Sequence, residues 1–181
     1  MRYRCPTAKL YGIGTIDDYE LQFKGQPGRA FATIAPQKGA SVPVAVWEIH
    51  PQDEQSLDHY EGFPSHYFKQ DVPVKLEGKE VTAMVYIMNL RMQFALPSLQ
   101  YYQTVYEGYN DCDLDTNTLN QAVGSSAKKF YSSAMSLFNQ QSLFACEESE
   151  AEDEEDDFED EGSEEEINEA DPYYFLHGMH L

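Results

Sequence analysis

The chain has 181 residues, with 12 Lys and Arg, 32 Asp and Glu, and a formal net charge of −20 at pH 7. This length suits one domain of ordinary size plus an additional segment. No basic patch interleaved with aromatic residues occurs, which argues against nucleic acid as a partner. No apolar run reaches the length that spans a bilayer, which argues against a membrane protein.

The negative charge is concentrated in one segment. Between Glu147 and Asp171 lie 17 of the 32 acidic residues, which leaves 15 to face the 12 Lys and Arg. Like charges at this density, with few large apolar residues, predict a disordered acidic tail over residues 147–171. A short apolar peptide, residues 172–181, follows it. The tail either keeps the protein soluble or binds a basic protein partner, and the sequence leaves both interpretations open.

The cysteines and histidines predict neither a disulfide framework nor a metal site. Cys5, Cys112 and Cys146 are widely spaced and odd in number, and no CxxC pair occurs. His177 and His180 lack a third ligand, so we expect no metal and no other cofactor. Since no apolar signal-peptide segment follows the first residues, the sequence predicts a soluble, cytoplasmic protein in a reducing compartment.

The first half of the chain is predicted to form strands. Short extended segments are predicted at 10–14, 19–23, 30–35 and 42–49. Turn-forming residues separate them, with a loop at 25–29 and a turn at 36–39.

A helix is predicted to start at Pro51 and to run to about Tyr60. Proline suits the first helical position, and Asp53 lies in the first turn, where the helix dipole favours a negative charge. Gly62, just past the end, is a C-terminal stop. Leu57 and Tyr60 are three residues apart and are expected to face the sheet.

A hairpin is predicted next. The alternating runs 67–76 and 79–88 are separated by Glu77-Gly78, a pair typical of a tight turn.

Helices are predicted for the rest of the domain. The first covers 97–109, with a buried stripe that consists of Tyr102, Val105, Tyr106 and Tyr109. Another helix runs through 119–123, capped by Asp113 or Asp115. Residues 124–146 form a weaker amphipathic helix or a linker.

Glu61, at the exit of the first helix, is the residue best placed for proton transfer. Tyr60, Phe63 and Tyr67 stand around it in the sequence. A carboxyl group held against aromatic rings loses solvation of its charged form, which favours proton exchange near neutral pH. On these residues alone, the alternative that Glu61 is a solvated residue of the last helical turn is favoured, since most glutamates are surface charges. His66, close by, is interpreted as a solvated surface residue.

Short motifs follow one another in a fixed order between residues 4 and 123. They are Arg4-Cys5-Pro6, Gly12-x-Gly14, Tyr19-x-Leu21-x-Phe23, Ala32-Thr33-Ile34, Val42-Pro43-Val44-x-Val46-Trp47-Glu48-Ile49, Leu57-Asp58-x-x-Glu61-Gly62, Val85-Tyr86-x-Met88 and Tyr106-x-Gly108-Tyr109. No single motif is specific, but the ordered set resembles the γ-glutamylcyclotransferase-like, or AIG2-like, family.

The resemblance implies an α+β fold over residues 1–123: a small mixed β-barrel flanked by helices, with a cavity at one end. It also implies an activity on a small γ-glutamyl amide or peptide. The substrate's α-amine attacks its own γ-carbonyl, which gives 5-oxoproline and a free amine. One carboxyl group can take the proton from the ammonium and return it to the leaving amine.

By its position in the signature, Glu61 matches that carboxyl group. Tyr60, Phe63, Tyr67 and Tyr109 are the candidates for the substrate pocket. The resemblance does not specify the leaving amine, so glutathione, γ-glutamyl amino acids, γ-glutamyl-lysine and a protected natural product all remain open.

The chain departs from the family at its start. Members open with a strand that ends in a Tyr-Gly-Ser-Asn-like loop, whose backbone amides hold the substrate's glutamyl end. Here only residues 1–3 precede Arg4. Either this start is internal to a longer reading frame or the chain has lost part of its site. The second case predicts a catalytically degenerate member that acts as an interaction module through its acidic tail.

Overall fold

A computed structural model describes residues 5–89 and 91–147, with side chains as far as residue 140. The elements in chain order are β1 (Lys9–Gln26), β2 (Arg29–Glu48), α1 (Pro51–Glu61), β3 (Tyr67–Leu76), β4 (Lys79–Met88), α2 (Leu99–Asp111) and α3 (Thr116–Glu147). The acidic tail beyond Glu147, the peptide 172–181 and Arg4 lie outside the described residues.

The four strands form one sheet in the order β2-β1-β3-β4, and its pairings are antiparallel. The predicted α+β class is confirmed, but the predicted mixed barrel is wrong because the sheet is open. A barrel needs a continuous ladder between its first and last strands. Among the described residues, β2 and β4 stand at opposite ends of the strand order and are not neighbours in the sheet, and the Met88 backbone N–H donates to Thr33 Oγ1 at 3.1 Å.

The predicted short strands merge into two long ones, and the turn predicted at 36–39 is wrong. β1 and β2 stay paired through this region, with a register shift between Asp17 and Tyr19. Asp18 has a φ of 59°, and its carboxylate accepts a hydrogen bond from the Gly39 N–H at 2.7 Å. The turn-forming residues therefore make a β-bulge that bends a continuous ribbon rather than reversing the chain.

The β3–β4 hairpin with its turn at Glu77-Gly78 is confirmed. The two hairpins of the sheet meet where Thr15 of β1 pairs with Lys75 of β3. Gly14 permits this close crossing, since a Cβ there would lie 2.3 Å from the Lys75 carbonyl oxygen.

α2 begins after Ser98, whose side chain accepts a hydrogen bond from the Tyr101 N–H at 3.2 Å. The predicted stripe is partly wrong, because Tyr106 is 39% exposed. The buried line consists of Tyr101, Val105 and Tyr109, which are spaced four residues apart along one face.

Asp115 directly precedes α3, and its carboxylate accepts from the Asn117 N–H at 3.0 Å. The helix then continues without a break through the predicted 119–123 helix and residues 124–146. Ser126 joins it to the sheet by accepting from the Phe23 N–H at 2.9 Å. None of the helices that the structure describes is long and apolar enough to cross a membrane.

Both hairpins, α2 and α3 contribute to one core. Its largest fully buried side chains include Ile16, Phe23, Ile34, Val42, Val44, Val72, Val74, Ile87 and Leu119.

Candidate functional site

Local sequence fixes the beginning of α1. Pro51 occupies the first helical position, as predicted. Asp53 in the first turn is 5% exposed and accepts a hydrogen bond from the Thr7 hydroxyl. This bond ties the segment before β1 to the helix that carries Glu61.

Gly62 ends α1, again as predicted. Its φ of 63° and ψ of 35° lie in the left-handed region, which glycine adopts without the steric penalty of a Cβ. The Phe63 N–H then donates to the Asp58 carbonyl at 2.9 Å. This cap leaves Glu61 in the last turn with only 8% of its surface exposed. The alternative that Glu61 is a solvated surface residue is therefore wrong.

Two buried tyrosines lie in the electrostatic environment of Glu61. Burial raises the pKa of the Tyr67 hydroxyl, and the charge of Glu61 raises it further. Burial also raises the pKa of Tyr101, with added contributions from Tyr67 and Glu61. Both phenols therefore stay protonated near neutral pH and keep an O–H group that can donate a hydrogen bond. The Tyr101 oxygen also accepts from the Ala32 N–H at 3.1 Å.

Glu61 lies in the wall of a cavity of about 630 Å³. The cavity opens between the β1–β2 turn, the end of α1, the start of β3 and the end of β4. Its lining consists of Gly25, Gln26, Arg29, Phe31, Tyr60, Glu61, Gly62, Ser65, His66, Tyr67, Met88, Asn89 and Met92. The structure thus brings three of the predicted site residues, Tyr60, Glu61 and Tyr67, into one wall.

Phe63 and Tyr109 do not line this cavity. Phe63 is 39% exposed, and the ammonium nitrogen of Lys69 lies 5.0 Å from its ring centroid. Tyr109 is buried, and its pKa is raised by burial and by Asp115 at the start of α3. It lies two turns beyond Tyr101 on α2, about 12 Å along the axis.

Sequence reasoning missed Tyr101. The available signal was its position on α2, four residues before Val105 and eight before Tyr109, on the face that is buried. The sequence also missed Arg29, because its place in the β1–β2 turn gives no indication that the turn borders a cavity.

A cluster of charged side chains holds α1 against the hairpin of β3 and β4. Lys69 Nζ lies 2.6 Å from Glu54 Oε1 and 2.7 Å from Asp58 Oδ1, and the Tyr86 hydroxyl donates to Asp58 at 2.6 Å. Burial alone would raise the pKa of Asp58, but hydrogen bonds from Lys69 and Tyr86 outweigh it and lower that pKa. Asp58 is thus a hydrogen-bond acceptor that anchors the helix.

Among residues 5–89 and 91–140, no group of three or more His, Cys, Asp or Glu side chains is placed to hold a metal ion.

Comparisons with known proteins agree on one family. The family model described as Gamma-glutamyl cyclotransferase, AIG2-like, matches residues 2–107. Two curated proteins named Gamma-glutamylcyclotransferase are similar: the Homo sapiens protein is 32% identical over 114 residues and the Bos taurus protein 30% over 117. Each alignment covers 58% of this chain and 60% of the relative.

A solved structure titled Gamma-glutamyl cyclotransferase superposes with a TM-score of 0.61 at 26% identity, over 67% of this chain and 76% of that one. A Homo sapiens protein described as uncharacterized superposes with a TM-score of 0.60 at 28% identity, over the same shares. Since the family model matches more than half of the sequence, the chain belongs to the γ-glutamyl cyclotransferase, AIG2-like family.

Proposed function

We propose that this protein is a γ-glutamyl cyclotransferase in which Glu61 is the general acid and base. The observation that carries the proposal is a carboxylate buried to 8% exposure in the wall of a cavity large enough for a small molecule. The family membership gives the reaction class, since the curated relatives are named for it. The substrate is a small γ-glutamyl amide or peptide.

The reaction needs only proton transfer and correct folding of the substrate. Glu61 takes a proton from the α-ammonium, and the freed amine attacks the γ-carbonyl carbon of the same molecule. The new C–N bond closes the ring. Glu61 then gives its proton to the leaving nitrogen as the original amide bond breaks, and it takes up the second proton that the ring nitrogen loses. That proton passes to the released amine, which leaves as an ammonium, and Glu61 returns to its ionised form. The products are 5-oxoproline and an amine, and no water is consumed.

Two features of the site favour this sequence of steps. Tyr67 lines the cavity with Glu61 and remains protonated, so it can donate a hydrogen bond to the carboxylate or to the oxyanion that forms on the γ-carbonyl. Tyr60 and Phe31 add aromatic surface to the cavity wall, which excludes water and favours a folded substrate over an extended one.

The test is release of 5-oxoproline from a panel of γ-glutamyl compounds. Glu61→Gln keeps the shape of the side chain but cannot exchange the proton, so we expect kcat to fall about 100- to 10,000-fold. Urea unfolding of the same variant must show an intact fold. A Glu61→Gln enzyme that folds and retains its rate would contradict the proposal.

The alternative is a catalytically degenerate member that acts as an interaction module. The observation in its favour is the run of 17 acidic residues at 147–171, a polyanion suited to a basic protein surface. Under this alternative no γ-glutamyl compound is turned over. Binding to a basic protein such as lysozyme, measured by titration calorimetry at low salt, would be lost when the chain is cut after Cys146. Unchanged binding by the shortened chain excludes this function.

The predicted cytoplasmic, reducing compartment is part of the proposal. Cys5 and Cys112 are not joined in a disulfide, which is compatible with it. Acid quenching of cells followed by alkylation measures their state directly: both thiols alkylated supports the compartment, and an oxidised pair argues against it.

A further inference from the structure

The second half of α3 extends away from the core. Leu119, Ala122 and Ser126 in its first half are buried. Among the described side chains, Phe130 is the last hydrophobic residue of this helix that packs against the core. Every residue from 131 to 140 is exposed, so no side of the helix is covered there. Residues 131–146 are called the projecting segment below, and at 1.5 Å per residue they extend over about 24 Å.

The projecting segment is uncharged and carries large apolar side chains. It contains no Asp, Glu, Lys or Arg, in a chain whose formal net charge is −20. Its exposed large hydrophobic residues are Tyr131, Met135, Leu137 and Phe138, each 58–65% exposed. Tyr131, Met135 and Phe138 are spaced four and three residues apart, so they share one face of the helix. A helix of this length is only marginally stable in water without packing against another element, so we expect this face to be covered.

Charges of opposite sign lie at the two ends of the projecting segment. Lys128 and Lys129 precede it, and the acidic run 147–171 follows it. Lys129 pairs with Glu20 at 3.0 Å, whereas no carboxylate among the described side chains forms a salt bridge with Lys128. The dipole of a helix opposes negative charge at its C-terminal end. A cation placed beside the start of the acidic run would therefore stabilise the end of α3.

We infer that the projecting segment binds the same segment of a second copy of the chain, with the two helices antiparallel. In this arrangement Met135 of each copy faces Phe138 of the other. Position 128 of each copy then faces position 145 of the other, which places Lys128 beside the start of the acidic run at both ends of the pair. The contact is the same on both copies, as in a twofold dimer.

Charge distinguishes this arrangement from two others. A parallel pair would place the two acidic runs side by side, where like charges repel. The chain's own apolar peptide, 172–181, contains no Asp or Glu, so it offers Lys128 no acidic side chain. The projecting segment lies beyond the residues 2–107 that the family model matches, and it does not line the cavity. The pairing is therefore independent of the proposed function.

Sedimentation equilibrium of the full chain from about 1 to 100 µM, with a reducing agent present, measures the pairing. We expect a monomer–dimer equilibrium. Phe138→Lys places a charge in the apolar contact, so it should raise the dissociation constant of the dimer at least about 10-fold. Ser136→Lys is the matched control, because it adds the same charge about 200° around the helix from Phe138, and it should leave the constant unchanged.

Lys128→Cys tests the orientation. In the antiparallel pair, position 128 of one copy lies next to Cys146 of the other. Within one copy the two positions are about 27 Å apart along α3, too far for a disulfide. Mild oxidation should therefore link position 128 to Cys146 between copies, which mass spectrometry of the linked peptides identifies. Links between two copies of Cys146 alone would show a parallel pair and overturn the antiparallel arrangement.

A chain that stays monomeric at every concentration would overturn the inference. Slow amide hydrogen exchange at 131–146 in such a monomer would show that another part of the same chain covers the segment. A dimer that Phe138→Lys and Ser136→Lys affect equally would also overturn it, since the contact would then lie elsewhere.

Discussion

Lys69 on β3 places its ammonium nitrogen 2.7 Å from Oδ1 of Asp58, one helical turn before Glu61. The same nitrogen lies 2.6 Å from Glu54, so one cation joins two successive turns of α1. The Lys69 and Asp58 side chains are 21% and 29% exposed, which screens the pair less than a fully exposed one. The helix is therefore fixed to the sheet close to its last residue.

Replacing Lys69 should loosen that attachment. Lys69→Met leaves two carboxylates without their cation, and we expect a loss of about 1 kcal/mol in the free energy of unfolding, together with a lower kcat as Glu61 loses its fixed position. Lys69→Arg should retain most of the unfolding free energy and most of kcat. Urea unfolding and 5-oxoproline release measure the two effects.

The control is Lys75→Met. Lys75 and its partner Asp17 are 61% and 44% exposed, and this pair lies away from the cavity, so we expect no measurable change. A Lys75 variant as unstable as the Lys69 variant would mean that burial does not distinguish the two pairs.

The stability contributed by Asp58 should depend on pH. Its pKa in the folded protein is lower than the ordinary 3.8, so folding favours the ionised form. The contribution is complete above pH 3.8 and is lost as the pH falls through the lower, folded value. The difference in unfolding free energy between the unmodified protein and Asp58→Asn should therefore be constant from about pH 5 to pH 7 and shrink toward pH 2. If the difference in unfolding free energy instead grew on acidification, the pKa of Asp58 would be raised, not lowered, in the folded protein.

Two buried tyrosines on α2 should respond differently to loss of their hydroxyl. Tyr101→Phe removes the acceptor of the buried Ala32 N–H, which should cost about 1–3 kcal/mol. The hydroxyl of Tyr109 is buried, and the described residues provide no hydrogen-bond partner for it. Tyr109→Phe should therefore be neutral or slightly stabilising. Thermal unfolding of the two variants separates these outcomes, and equal destabilisation by both would contradict them.

Gly62→Ala should destabilise the fold and lower activity together. A Cβ in the left-handed conformation costs about 1–2 kcal/mol, and relief of that strain would displace Glu61. Gly108→Ala is the control, because its Cβ would meet nothing within 4 Å in the middle of α2, where alanine is favoured by roughly 0.5–1 kcal/mol. The urea concentration at the midpoint of unfolding should therefore fall for Gly62→Ala and rise for Gly108→Ala. A stabilised Gly62→Ala protein would show that the cap tolerates a side chain.

Local signals in the sequence were sufficient for the helix that carries Glu61. Pro51 and Gly62 act through backbone geometry within one or two residues, so they identify both ends of α1 without any tertiary information. The same holds for the β3–β4 turn at Glu77-Gly78. The position of Glu61 at the exit of α1 follows from these boundaries.

The surroundings of Glu61 could not be predicted in the same way. Arg29 and Tyr101 are far from Glu61 in sequence, and only the packing of β2 and α2 brings them close to it. The bulge at Asp18 was missed because Pro36 and Gly39 look locally like a chain reversal, although pairing with β1 keeps the bent strand continuous. The open sheet was missed because strand order and closure depend on edges that no local pattern specifies.

The crossing at Gly14 and Lys75 has a consequence for the shape of the cavity. The β1–β2 hairpin and the β3–β4 hairpin are paired at Thr15 and Lys75. Arg29 belongs to the first hairpin, and Tyr67 and Met88 belong to the second. The angle between the two hairpins therefore affects the width of the cavity mouth, and a bulkier residue at position 14 would change that angle without contacting any side chain of the lining.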